Sequence, residues 1–134
     1  MIALAAAACN QAPADDDALI EVCRPAGVEA ATLGIGEISI PHDLAIARVQ
    51  YTGVTGEYAV AVRLSQDHAE ALTQLTREQL NQPISISLDG VVLTAPVVRT
   101  PILDGRILIS DNYTRYEASE IVARLSGPCP PATP

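Results

Sequence analysis

The sequence contains no phenylalanine, no tryptophan and only four tyrosines among its 134 residues. Aromatic side chains build the cages that bind quaternary ammonium groups and the platforms on which nucleic-acid bases stack. The composition therefore argues against both kinds of site. Apolar residues still make up 49% of the chain, and a chain of this length forms about one domain. Its core must be built from Val, Ile, Leu and Ala.

Lysine is also absent, so that all eight basic residues are arginines, against 16 acidic residues and a net charge of −8. Proteins that bind nucleic acid need clustered cations to neutralise phosphates. This charge balance predicts that the chain has no nucleic-acid partner.

Long apolar runs are missing as well: none reaches the roughly 18 residues that a membrane-spanning helix needs. Small residues precede Cys9, and a Pro- and Asp-rich stretch follows it. This pattern resembles a bacterial lipoprotein signal, although Leu is absent three residues before the cysteine and no positively charged region precedes it. Residues 1–22 are predicted to be a signal remnant and an acidic flexible tether. Cys9 would then carry a lipid that anchors a periplasmic protein to a bacterial membrane.

The alternative for this end of the chain is a disordered Ala-rich terminus with an incidental free cysteine. If Cys9 is lipidated, Cys23 and Cys129 remain, one near each end of the predicted domain. An even number of cysteines in an exported protein favours a disulfide. Two free thiols or a metal pair are the alternatives, and the metal pair is disfavoured because no CxxC spacing is present.

The middle of the chain has the patterns of alternating strands and helices. Residues 44–53 and 58–64 alternate as strands do. Ser65 is a suitable N-cap for the next helix, which Asn81-Gln82-Pro83 ends because a residue before proline avoids the α region. Its apolar stripe consists of Ala69, Leu72, Leu75, Thr76 and Leu80.

Asp89-Gly90 predicts a two-residue type I′ hairpin turn. Folding about this pair places Leu88 opposite Val91, Ile86 opposite Leu93 and Ile84 opposite Ala95. Residues 96–101 are bracketed by prolines and are not expected to form a central strand.

Thr114 and Glu117 form a capping-box pattern at the start of a last helix. Its buried stripe is predicted to contain Ala118, Ile121, Val122 and Leu125. The predicted order is β-α-β-β-β-α. The fold class is therefore α+β: a small antiparallel sheet with two helices packed on one face. Residues 23–129 would form this domain, and residues 130–134 a Pro-rich tail.

Several short motifs follow one another between residues 75 and 118. They are Leu75-Thr76-Arg77-Glu78, Leu88-Asp89-Gly90, Ala95-Pro96-Val97, Pro101-Ile102 before Gly105, and the run Ile109-Ser110-Asp111-Asn112-Tyr113-Thr114-Arg115-Tyr116-Glu117-Ala118. Together they resemble the head subdomain of the first periplasmic domain of SecD, a subunit of the protein-export translocase, with the best match over residues 43–126. Asp111 and Tyr113 stand where that family usually has Gly and Phe.

The resemblance implies a periplasmic module that contacts emerging or unfolded polypeptide. The intramembrane charged residues that couple SecDF to protons have no counterpart in these 134 residues. A binding module, an accessory to protein export or envelope assembly, is therefore expected rather than a pump. The alternative is a structural or inhibitory lipoprotein that binds one folded envelope partner, because fold similarity alone does not choose between them.

No catalytic, metal or cofactor site is predicted. His42 and His68 have no nucleophile or carboxylate at a recognisable spacing, and are expected to be solvated surface residues. The acidic run at residues 15–17 lacks an EF-hand pattern and is better explained as tether.

The remaining candidate is a peptide-binding surface in the proline-bracketed region. It consists of Val97, Val98, Arg99, Ile102 and Leu103. An exposed extended edge there would accept a client by strand addition. The alternative is that these residues simply pack beneath the helices.

Overall fold

The computed structural model describes residues 19–131. In chain order the strands are β1 (Leu19–Ile20), β2 (Leu33–Ile35), β3 (Ile38–Ile40), β4 (Ala45–Tyr51), β5 (Tyr58–Leu64), β6 (Ile86–Leu88), β7 (Val91–Thr94) and β8 (Arg106–Tyr113). The helices are α1 (Gln66–Glu78) and α2 (Arg115–Arg124), and a short 3-10 turn, His42–Leu44, precedes β4. None of the helices in this range is long and apolar enough to cross a membrane.

The strands divide between two antiparallel four-stranded sheets. Sheet one has the order β1-β4-β5-β8, and sheet two has the order β3-β2-β6-β7. The predicted α+β class is confirmed. The sequence pattern indicated one sheet, whereas the structure has two. The alternation of apolar residues identifies a strand but does not show which strand it pairs with.

The core consists of aliphatic side chains, as the composition requires. Alternate residues of β4 and β5 are buried and face α2, which contacts β4, β5 and β8. The other helix, α1, contacts a strand of each sheet, β3 and β5. Its residue Leu72 is fully buried. A single hydrophobic cluster thus includes residues from both sheets and both helices.

Both predicted helix starts are confirmed, with different local contacts. The Thr114 hydroxyl accepts the Glu117 N–H at 3.1 Å, and the Glu117 carboxylate accepts the Thr114 N–H at 2.9 Å. This is the complete capping box. Ser65 is the N-cap of α1, but its side chain makes no capping hydrogen bond to the backbone.

The predicted type I′ turn is confirmed. Asp89 and Gly90 have φ values of 50° and 87°, and this turn requires positive φ at both central positions. Leu88 pairs with Val91, as predicted.

The predicted register holds as far as Ser87, which pairs with Val92, and is wrong beyond it. Ile86 pairs with Thr94 instead of Leu93, because an irregularity in the ladder adds one residue to β7. Leu93 nevertheless remains half-buried against the core. Ile84 donates its N–H to Pro96 O at 3.0 Å, so it is not opposite Ala95.

Two short strands, β2 and β3, lie next to each other in the chain and form an antiparallel pair. Strand β2 was not predicted, although it is a central strand of sheet two and its Leu33 is fully buried. Three residues are too few for a periodicity to be recognised.

Candidate functional site

Residues 96–103, called here the 96–103 segment, are already paired through their backbone. Pro96 O accepts the N–H of Ile84 at 3.0 Å. Val98 donates its N–H to Gln82 O at 3.3 Å, and Val98 O accepts the N–H of Asn81 at 2.6 Å. In an antiparallel pairing the intervening residue directs its backbone groups to the other side. Only Val97 therefore offers outward-facing backbone groups in this pairing.

Two threonines of α1 hold the segment at Ile102. Thr76 Oγ1 accepts the Ile102 N–H at 3.0 Å, and Thr73 Oγ1 donates to Ile102 O at 2.8 Å. Thr76 is fully buried, and its hydroxyl donates within α1 to Leu72 O at 2.9 Å. The sequence pattern identified Thr76 as part of the buried stripe but did not indicate this contact.

The five predicted binding residues separate into two groups. Val98 and Ile102 are half-buried and pack against the core. Val97 is 43% exposed and Leu103 is 66% exposed, and Arg99 is also exposed. The segment therefore presents two apolar side chains and one cation on a backbone that α1 holds in place.

A second surface lies on the side of sheet one opposite α2. It consists of Ile46, Arg48, Arg63, Arg106 and Leu108 and is called here the arginine face. Arg63 pairs with Ile46 on one side and with Arg106 on the other. Arg48 and Leu108 lie in the next row, and Leu108 is 52% exposed. Of the three arginines of this face, only Arg48 has a carboxylate partner among residues 19–131, namely Glu21 at 3.7 Å.

The histidines do not form a recognisable catalytic group. His68 Nδ1 lies 3.0 Å from Ser65 Oγ, a contact between residues three apart at the start of α1. His42 Nε2 is buried and has no hydrogen-bond partner among residues 19–131. Within residues 19–131, no cluster of three or more His, Cys, Asp or Glu side chains is arranged to hold a metal ion.

Tyr113, at the end of β8, has a buried hydroxyl that finds no hydrogen-bond partner in the described part of the chain. Burial raises the pKa of Tyr113, and the carboxylates of Asp111 and Glu117 raise this pKa further. Both effects disfavour the phenolate, burial because it removes solvation and the carboxylates because like charges repel.

The two ends of the described chain are joined. Cys23 and Cys129 are disulfide-bonded, with their Cα atoms 4.8 Å apart. Beside this bond, Arg24 N–H donates to Gly127 O at 2.8 Å and Cys129 N–H donates to Arg24 O at 2.9 Å. Cys9 and the acidic run at residues 15–17 lie outside the described residues.

With this geometry in place, the chain can be compared with known proteins. Residues 37–129 match the family described as SecDF, P1 head subdomain. The chain belongs to the SecDF P1 head family. A SecD protein translocase subunit from Magnetococcus marinus is 30% identical over 126 residues, which cover 92% of this chain and 24% of that protein. The chain therefore spans about a quarter of the length of this relative.

Two solved structures of SecDF are similar to the chain. One, titled as a crystal structure of SecDF in a super-membrane-facing form, has a TM-score of 0.55 and 32% identity over 66% of this chain and 13% of its own. The other is titled as a membrane component that enhances protein export. It has a TM-score of 0.52 and 28% identity over 63% of this chain and 39% of its own.

In this P1 head, the short motifs have structural roles that their sequences did not show. Thr76 of the Leu-Thr-Arg-Glu motif binds the 96–103 segment. Gly105 has a φ of 71°, and a Cβ added there would lie 2.6 Å from Ala69 Cβ. A larger residue would therefore push β8 away from α1.

Proposed function

We propose that the chain is a non-catalytic, periplasmic polypeptide-binding module that assists protein export or envelope assembly. The observation that carries this proposal is the 96–103 segment, where Val97 and Leu103 are exposed on a backbone held by the buried hydroxyl of Thr76. A rigid surface loses little conformational entropy when it binds a partner. Membership of the P1 head family supports the connection to export.

The binding would be weak and would tolerate many sequences. Two open clefts in the described residues are lined by residues outside the 96–103 segment. An open contact of a few apolar side chains does not bury enough surface for tight affinity. Weak, unselective contact suits a protein that must release each client.

A lipid on Cys9 would hold this module at a membrane. The support is the run of small residues before Cys9 and the polar stretch that follows it. Labelled palmitate should enter the protein and should be lost in Cys9→Ala. Unlabelled wild-type protein in the soluble fraction would remove this part of the proposal.

Binding is tested with a diverse panel of unfolded peptides and two variants. Val97→Asp and Leu103→Asp place carboxylates in the contact surface, and each should weaken binding to apolar peptides about tenfold or more. Val54→Asp is the matched control, since Val54 is also an exposed valine but lies in the β4–β5 loop.

The absence of binding to every peptide in the panel would overturn the proposal. Crosslinking in cells then distinguishes the alternative function. A single stoichiometric partner, instead of many clients, would show a structural or inhibitory lipoprotein that binds one folded envelope protein.

A further inference from the structure

Strand β8 is the longest edge strand of the two sheets. It has eight residues, whereas the other edge strands β1, β3 and β7 have two, three and four. Its inner side pairs with β5, and no described strand pairs with its outer side. Long open edges are uncommon in soluble proteins because they present unpaired N–H and C=O groups to other chains.

The hydrogen bonds of β5 show which β8 groups point outward. Leu64 donates its N–H to Gly105 O at 2.9 Å. Bonded and non-bonded pairs alternate along an antiparallel ladder. Ile107 and Ile109 therefore direct their backbone groups to β5, whereas Leu108 directs its N–H and C=O to solvent.

The first outward N–H of this edge is already occupied. Asp104 Oδ1 accepts the Arg106 N–H at 3.1 Å. Beyond Ile109 the pairing with β5 becomes irregular, and Asn112 has a φ of 56°. The regular open stretch is therefore short and centred on Leu108.

The arginine face adjoins this stretch. Arg63 and Arg106 are direct cross-strand partners, so two cations lie side by side on neighbouring strands. Like charges in this position repel each other. Neither guanidinium has an ion-pair partner among the described residues. A carboxylate placed between them would relieve the repulsion and form charge-assisted hydrogen bonds.

We propose that the outer edge of β8 accepts an extended acidic polypeptide segment as an added strand. The proposal rests on the polypeptide-binding function and adds a second acceptor surface to the 96–103 segment. Side chains two residues apart in the added strand share a face. An acidic residue would lie beside Arg106, with Arg63 one strand further away, and the residue two positions away would be apolar and lie beside Leu108.

The charges favour a client segment over the other occupants. A second copy that paired through its own β8 edge would bring further arginines to Arg63 and Arg106, and this contact between like charges opposes association. A surface of anionic lipid would contact the arginines but would leave the Leu108 N–H and C=O without backbone partners. An acidic strand satisfies both the cations and the open edge.

The test is an NMR titration of the full 134-residue chain, labelled with 15N and with its disulfide intact. The probe, called here the Glu-Val peptide, is blocked and has about seven residues, a usual strand length. Glu and Val alternate at every second position, with Ser between them, so that both side chains lie on one face. The largest amide shifts should occur at Leu108 and Ser110. A peptide with Lys in place of Glu tests the charge, and one with alternate backbone N-methyl groups tests the added ladder. Each should bind at least about tenfold more weakly.

Two variants test the protein side. Arg106→Glu should weaken binding of the Glu-Val peptide at least about tenfold, while Arg77→Glu, at an exposed arginine of α1, should leave it unchanged. Leu108→Pro removes an outward N–H that β5 does not use, and should abolish the ladder. Val92→Pro on the β7 edge is its matched control. Circular dichroism and melting curves verify that each variant is folded.

The outcomes separate this proposal from the general function. Shifts concentrated at Val97, Arg99 and Leu103 with β8 unmoved would overturn the β8 site and leave polypeptide binding intact. Equal binding of the N-methylated peptide, concentration-dependent β8 shifts without peptide, or a response only to phosphatidylglycerol vesicles would also overturn it. No binding to any peptide of the diverse panel would overturn both proposals.

Discussion

The Asp89 carboxylate, at the tip of the β6–β7 hairpin, lies 2.6 Å from the guanidinium of Arg124 at the end of α2. Its other oxygen accepts the N–H of Thr32 at 2.9 Å, and the Asp89 N–H donates to Thr32 O at 2.9 Å. Arg124 O in turn accepts the N–H of Ala31 at 2.8 Å. Asp89 therefore connects the turn of sheet two to the helix that covers sheet one.

The charge of Asp89 should contribute measurably to stability. Asp89→Asn keeps a residue that tolerates positive φ but removes the ion pair. The pair is partly exposed, so we expect a loss of about 0.5–1 kcal/mol in the free energy of unfolding. A double-mutant cycle with Arg124→Met, followed by urea unfolding, measures the coupling. Glu70→Gln is the control. A coupling energy of zero would show that the two charged groups are close together but do not stabilise the fold.

The Thr76 hydroxyl should hold the 96–103 segment in place. Thr76→Val preserves the shape of the side chain but leaves the Ile102 N–H without its acceptor. We expect a loss of about 1–3 kcal/mol in the free energy of unfolding and faster amide hydrogen exchange at residues 97–103. Thr55→Val, in the exposed β4–β5 loop, should change neither quantity. Unchanged exchange in Thr76→Val would mean that the segment is held by packing alone.

The Cys23–Cys129 bond should be a major source of stability because it spans 106 residues of sequence. On the chain-entropy model a loop of this size contributes about 4–5 kcal/mol, an upper estimate. The double variant Cys23→Ser/Cys129→Ser should show this loss in denaturant unfolding, with Cys9→Ser as control.

Thiol counting under denaturing, non-reducing conditions should find Cys23 and Cys129 unreactive, and two free thiols in exported protein would contradict the bond.

Tyr113 should make the fold sensitive to alkaline pH. Its pKa is raised above 10.0 in the folded protein by burial and by Asp111 and Glu117. The folded state therefore keeps the phenol proton to a higher pH than the unfolded chain does. The contribution of Tyr113 to the free energy of unfolding is complete below pH 10 and falls as the pH rises further. In Tyr113→Phe the melting temperature should therefore fall less between neutral and alkaline pH than it does in the wild type.

The same variant should also stabilise the protein near neutral pH. It removes a buried hydroxyl that has no hydrogen-bond partner among the described residues. Its removal should raise the free energy of unfolding by about 0.5–1 kcal/mol. Tyr51→Phe is the control for loss of an exposed hydroxyl. A melting temperature of Tyr113→Phe below that of the wild type would show that the hydroxyl has a partner in solution.

Local features were the ones that could be predicted from the sequence. The capping box at Thr114 and the turn at Asp89-Gly90 each depend on residues within four positions of one another. The hairpin register beyond Ser87 was wrong because a bulge depends on contacts with other elements, in this case the pairing of Ile84 with Pro96. No local pattern indicates such a bulge.

The candidate site was only partly predictable. Residues 97–103 were identified from their prolines and apolar side chains, but the division into core-facing and exposed residues required the position of α1. The arginine face had no signal in the sequence, since Arg63 and Arg106 are far apart along the chain and become neighbours only when β5 pairs with β8.

The sequence by itself determined the local conformations: the aliphatic composition of the core, the start of the last helix and the position of the hairpin turn. These follow from interactions between residues close together in the chain, and they form in the same way whatever surrounds them. The tertiary structure alone decided that the strands form two sheets, that β8 has an open edge, and that arginines from distant strands lie together. Strand pairing depends on contacts between distant segments, and those contacts are selected by the burial of the whole core.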